Sequence, residues 1–171
     1  QLFRSLCVSR GGFGDEDMKF LANANAKTGN IRSEISAISE TIKPGDTFVF
    51  YISTHGGTYS RNRQAVLATY DGHYAVRDLQ TDIRLFPQSV KVICIIMACH
   101  SASLIGAPLE EDSSLSDRVN AWLADCGLAQ CLGNVAWVVS CGVNQSSYNS
   151  RNNSLFGESF IDNGWSKGYA D

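Results

Sequence analysis

The run Val92-Ile93-Cys94-Ile95-Ile96-Met97-Ala98 carries no charged or amide side chain, and Cys99-His100-Ser101 follows it at once. A strand with one solvated face alternates apolar and polar residues, whereas a strand covered on both faces reads as a continuous apolar run. This run therefore requires a sheet with a layer on each side. Open α/β sheets build their sites at the carboxyl ends of the strands, and there this strand presents a thiol. A second run, Thr47-Phe48-Val49-Phe50-Tyr51-Ile52, has the same construction and leads through Ser53-Thr54 to His55-Gly56-Gly57. A third, residues 135–140, opens into Cys141-Gly142-Val143-Asn144-Gln145-Ser146-Ser147.

Helical patterns separate these runs. Leu2, Phe3 and Leu6 have helical spacing, and Gly11-Gly12 ends that helix. Residues 18–26 read as a short strand. Thr28 or Asn30 caps a helix whose Ile31, Ile35, Ile38 and Ile42 form one apolar stripe, closed by Lys43-Pro44-Gly45-Asp46. Residues 58–63 are a polar loop, 65–69 a short strand, and Tyr70-Asp71-Gly72-His73 a turn. Val76, Leu79, Ile83 and Phe86 mark a helix that stops before Pro87. Residues 104–114 form a loop holding Glu110-Glu111-Asp112, Leu115, Val119, Trp122, Leu123 and Cys126 a helical stripe, and 155–161 a last helix. Alternation of strand and helix, with connections long enough for crossovers, predicts a mainly parallel sheet in a single α/β domain over residues 1–171.

A chain of 171 residues suffices for one domain with a real core. Its net charge of −3 argues against nucleic acid or an anionic membrane as the main partner. No apolar run reaches the roughly 20 residues of a membrane helix. Six cysteines do not fall into paired C-x2-C spacing, so no structural zinc site is expected, and a reducing, cytoplasmic setting is. Cys94 and Cys141 read as small buried hydrophobes.

A free thiol is only a few per cent ionised at neutral pH, so a cysteine enzyme sets a base or imidazolium beside it. His55 suits that role: it and Cys99 each follow an apolar strand, 44 positions apart. Gly56-Gly57 lets backbone approach a substrate, and the Gly56 and Cys99 amides could stabilise an oxyanion. His100 is a poorer base because it neighbours Cys99, and His73 sits in a turn. The alternative for each residue is structural: a buried cysteine that only packs, and a surface histidine.

Residues 45–56, Gly-Asp-Thr-Phe-Val-Phe-Tyr-Ile-Ser-Thr-His-Gly, resemble the catalytic-histidine segment of caspase-like cysteine peptidases of clan CD, metacaspases and bacterial caspase-like domains above all. Residues 95–102 resemble the family's nucleophile segment, and residues 140–147 its later Cys-Asp-Gln-Ser segment. Gly12-Phe13 through Ile31 is similar to the family's second strand and the helix after it. The resemblance implies a caspase-like three-layer α/β/α sandwich. It also implies a cysteine endopeptidase with Cys99 as nucleophile, His55 as general acid/base and the Gly56 amide as oxyanion donor. Ser53, Met97, Ser140, Cys141, Val143 and Ser146 fall on the substrate-binding side.

Two positions depart from the pattern. Met97 and Val143 stand where metacaspases carry acidic residues that hold a basic P1 side chain, so the resemblance implies the chemistry without a preference for Arg or Lys. Asp71 or Glu110-Glu111-Asp112 would have to supply a replacement. No cofactor is implied. Some relatives use calcium through an acidic cluster after the histidine, where this chain has only Asp71. The implied partner is a polypeptide substrate. Family members begin with a strand beside the histidine strand, so this chain is expected to belong to a longer parent that supplies it and a C-terminal end. Two other readings remain: a catalytically silent caspase-like module acting in regulation or assembly, and an unrelated α/β binding domain.

Overall fold

The computed structural model describes residues 2–58, 65–99, 134–141 and 146–147. In chain order these form α1 (Leu2–Arg10), α2 (Thr28–Thr41), β1 (Thr47–Ser53), β2 (Gly56–Thr58), β3 (Ala65–Thr69), β4 (Gly72–Ala75), α3 (Val76–Ile83), β5 (Lys91–Met97) and β6 (Val135–Val139). The expected helices at residues 115–126 and 155–161 and the acidic loop lie outside the described residues.

The three continuous apolar runs are β1, β5 and β6, and they form a parallel sheet in the order β1-β5-β6. Strand alternation sorts their side chains between two cores. Phe48, Phe50, Val92, Cys94, Ile96, Val135, Trp137 and Val139 face one core together with α2 and α3. Val49, Tyr51, Ile93, Ile95, Met97 and Val138 face a second core against Phe3 and Leu6 of α1. Phe3 stacks on Tyr51 with ring centroids 4.4 Å apart. Both faces are thus covered, which is the physical reason the strands carry apolar residues at successive positions. The architecture is an α/β sandwich around a parallel sheet.

The helix stripes pack as their spacing requires. Ile31 and Ile35 of α2 are buried, with Ile38 and Ile42 partly so. Gly45, at φ 91°, makes the turn after α2 in a conformation that suits glycine. Its N–H donates to Ser89 O at 2.8 Å, and Lys91 N donates to Asp46 O at 3.0 Å, so this turn also sets where β5 begins. Phe86, just past α3, stacks on Phe48 at 4.1 Å.

One polar group lies inside the α2–α3 side. Asp82, 6% exposed, accepts from Tyr74 Oη at 2.5 Å, from Arg32 Nε at 2.8 Å and from Arg32 Nη2 at 2.9 Å. The trio ties β4, α3 and α2 together, and the buried carboxylate is acceptable because it is paired and hydrogen-bonded.

The strand expected at residues 18–26 does not form. A 3-10 turn over Asn23–Asn25 interrupts it, another at Asp15–Asp17 precedes it, and Asn23 adopts φ 50°. Asparagine tolerates that left-handed conformation, which ends any extended run. Leu21 packs on the core while Phe20 stays 63% exposed. The strand expected at residues 65–69 forms as β3, and it lies in a small antiparallel sheet, in the order β2-β3-β4, whose β2 and β4 were not expected.

Candidate active site

The β1–β5 ladder pairs Thr47 with Lys91 and runs in step to Ser53 with Met97, a constant offset of 44 (97 − 53). His55 and Cys99 differ by the same 44 (99 − 55), so each stands two residues beyond the last ladder pair. Thr54 N donates to Met97 O at 3.1 Å and carries the parallel bonding one step past the ladder. The two strand ends are therefore level neighbours.

Contact between them is close. A Cβ added to Gly56 would collide with the Cys99 carbonyl oxygen and come within 3.1 Å of Ala98 Cβ. Only glycine fits here, and the reason is proximity. The histidine turn is held from its other side by β3: Ala68 N donates to His55 O at 2.8 Å, and Thr54 Oγ1 donates to Ala68 O at 2.8 Å. The Ala68–His55 bond makes Gly56 and Leu67 a non-hydrogen-bonded pair of the antiparallel β2–β3 ladder. In such a pair the N–H points away from the partner strand, so the Gly56 N–H is directed away from β3. His55 itself is exposed and Cys99 half-buried.

The end of β6 braces the Cys99 end of β5 from its second side. Ser140 N donates to Ile96 O at 3.0 Å. Ser140 Oγ accepts from Ala98 N and donates to Ala98 O, each at 3.1 Å. Cys141 Sγ donates to the same Ala98 O at 3.2 Å, and Cys99 Sγ lies 3.6 Å from Ser147 O. Three segments thus meet at one edge of the sheet: 53–56, 97–99, and 140–141 with 147. Cys141 lies past β6 and is only half-buried, where the sequence pattern suggested a buried strand position.

The remaining expected site residues divide by exposure. Ser53 is exposed, and its side chain hydrogen-bonds the Tyr51 hydroxyl, which burial pushes up and that bond pulls down. Ser146 is exposed. Met97, paired with Ser53, is 2% exposed and packed with Leu6 and Ile95 under α1. Val143, His100 and Glu110-Glu111-Asp112 lie outside the described residues. Asp71 serves the fold instead. Its Oδ1 accepts from Thr28 N at 3.0 Å and Thr69 Oγ1 at 3.1 Å, satisfying the start of α2. Among the described residues no group of three or more His, Cys, Asp or Glu side chains converges to hold a metal ion.

Burial separates the cysteines. Desolvation pushes the thiols of Cys94, fully buried within β5, and Cys7, on α1, upward and keeps them protonated. Cys99 and Cys141, both half-buried, are the cysteines placed where the three segments meet, and Cys99 is the one that stands level with His55. A cavity of about 170 Å³ lies elsewhere, at the amino-terminal end of the strands, lined by Phe86, Pro87, Asn134, Val135 and Trp137. Asn134 Nδ2 donates there to Val90 O at 2.8 Å and Pro87 O at 3.2 Å. Among the described residues that end holds no candidate nucleophile, and Cys99 and His55 lie at the carboxyl edge.

The histidine and nucleophile segments were legible from their strand ends. The contact between Gly56 and Cys99 and the bridging by Ser140 were not, because both depend on register; glycine directly after His55 was the available signal.

No family model matches the chain, and no curated protein matches it. The fold is similar to the crystal structure of protein GSU0716 from Geobacter sulfurreducens, with a TM-score of 0.62 and 17% sequence identity over 90% of this chain and 67% of that one. At that identity the likeness concerns the fold alone, and it agrees with a layered α/β protein. No helix among the described residues is long and apolar enough to cross a membrane.

Proposed function

We propose that the chain is a caspase-like cysteine endopeptidase. The observation that carries this reading is the shared offset of 44, which sets His55 level with Cys99 at neighbouring parallel strand ends. Cys99 attacks the scissile carbonyl as thiolate, and the tetrahedral oxyanion takes hydrogen bonds from backbone N–H groups, Gly56 foremost. His55 gives a proton to the leaving amine, then takes one from the water that cleaves the thioester. Ser140 holds Ala98 and thereby the position of Cys99. Ser53, exposed beside Met97, lies on the side where the substrate residue before the cut would enter.

The test is cleavage of a positional-scanning peptide library, with and without calcium, by the chain and by Cys99→Ala. Cleavage that disappears in Cys99→Ala, with a peptidyl electrophile labelling Cys99, supports the reading; full activity in Cys99→Ala overturns it. A second reading, a silent regulatory module, is favoured by one observation: Met97, deeply buried and apolar, offers nothing to a charged P1 side chain. It predicts no cleavage of any library member and no labelling.

A further inference from the structure

The thiols of Cys99 and Cys141 end neighbouring strands, and each is directed at the other's segment. Cys141 Sγ donates to Ala98 O, the peptide immediately before Cys99, and Cys99 Sγ points to Ser147 O in the segment that Cys141 opens. A carbonyl oxygen lies roughly 2.8 Å from the next Cα across a trans peptide. With the 3.2 Å contact, the Cys141 sulfur is within about 6 Å of the Cys99 Cα. The ladder agrees: Ile96 pairs with Val139, so two steps on Ala98 stands beside Cys141. Ala98 bends and Cys99 begins a turn, so strict strand alternation has ended before the thiol. Adjacent strands lie about 4.8 Å apart, and disulfides span Cα separations of roughly 4.4–6.8 Å. Neither cysteine is in a disulfide in this structure.

We propose that Cys99 and Cys141 are a redox pair, which a hydroperoxide closes into an intramolecular disulfide and a thiol reductant reopens. The Cys99 thiolate attacks one peroxide oxygen, the O–O bond breaks, and hydroxide leaves behind a sulfenic acid. The Cys141 sulfur then attacks that sulfur, the S–O bond breaks, and the departing hydroxide leaves as water with the Cys141 proton. Two thiols lose two electrons in total, and the peroxide gains them. The disulfide removes the nucleophile from use but protects it from irreversible oxidation. The effect on activity rests on the peptidase reading; formation of the bond does not. Cys94 takes no part, being fully buried within β5.

The experiment oxidises the intact chain with hydrogen peroxide, blocks remaining thiols with N-ethylmaleimide, and maps peptides by mass spectrometry without reductant. The expected result is a Cys99–Cys141 cross-linked peptide that dithiothreitol abolishes, with peptide cleavage lost and regained in step. In Cys141→Ser, Cys99 should advance to sulfinic acid, and dithiothreitol should no longer restore its labelling. Sulfinic acid at Cys99 in the unaltered chain with Cys141 still carrying maleimide, or Cys99 joined to a different cysteine, overturns the proposal. A cross-link in a chain that cleaves no peptide leaves the pair standing and counts against the peptidase; a cleaving enzyme without the cross-link does the reverse.

Discussion

Gly56 lies with its Cα against the carbonyl oxygen of Cys99, leaving no room for a side chain between the two strand ends. The contact fixes the His55 turn and the Cys99 turn relative to each other. Gly56→Ala must push them apart. Overpacking of this kind costs about 1–3 kcal/mol, and a shift near 1 Å in a catalytic group costs roughly 10²-fold in rate. The variant should therefore fold with a lowered melting temperature and lose about two orders of magnitude in kcat/KM for peptide cleavage. Unchanged cleavage would remove Gly56 from the site.

Ser140 holds the buried Ala98 peptide by both its N–H and its carbonyl, at 3.1 Å each. Ser140→Ala leaves a buried N–H without that partner, a loss of about 1–3 kcal/mol. Thermal unfolding should fall by roughly 2–4 °C for each kcal/mol lost. Because Cys99 follows Ala98 directly, kcat should fall more than KM rises. A drop in stability with an unchanged kcat would make Ser140 a fold residue only.

What could be read in the sequence depended on whether local signals matched tertiary ones. β1, β5 and β6 were visible because strands covered on both faces are apolar throughout, and the spacing of His55 and Cys99 foreshadowed the ladder offset. β2 was not visible: Gly56-Gly57-Thr58 has no strand preference of its own and becomes a strand by pairing with β3. The opposite error arose at residues 18–26, where Met18, Phe20 and Ala22 alternate but find no partner strand, and Asn23 turns the chain. Asp82 escaped notice because it is a charged residue beside the apolar stripe of Leu79 and Ile83, and its partners Tyr74 and Arg32 come from other elements.

Asp71 caps α2 from a distant hairpin. The Thr28 N–H bond is the main cause holding its carboxyl below the ordinary value of 3.8, with the Thr69 hydroxyl adding to it. A depressed carboxyl stabilises the folded chain at pH values above 3.8, and that contribution is lost as pH falls through the lower folded value. Denaturant unfolding followed from pH 6 to 2 should show part of its acid-side decline setting in as pH falls below about 3.8. Asp71→Asn should remove that part and leave the neutral-pH transition lowered. An identical acid limb in the variant would show that the cap carries no pH dependence.

Tyr74 and Asp82 form the buried polar bond of the α2–α3 side, and Arg32 completes it from a half-exposed position. Tyr74→Phe keeps the ring volume and leaves the carboxylate with Arg32 alone, at a cost of about 1–3 kcal/mol. Arg32→Met takes the counter-charge from the buried Asp82 carboxylate and should cost at least as much. Because one carboxylate serves both donors, the double variant should depart from the sum of the single ones by about 0.5 kcal/mol or more. Burial, then the bond to Asp82, pushes the Tyr74 hydroxyl far above its ordinary value of 10.0. A raised folded value means stability that is complete below pH 10 and declines as pH rises beyond it, since the unfolded tyrosine ionises first. Tyr74→Phe should flatten stability between pH 9 and 11 relative to the unaltered chain. Strictly additive losses in the double variant would show that the two donors act on Asp82 independently.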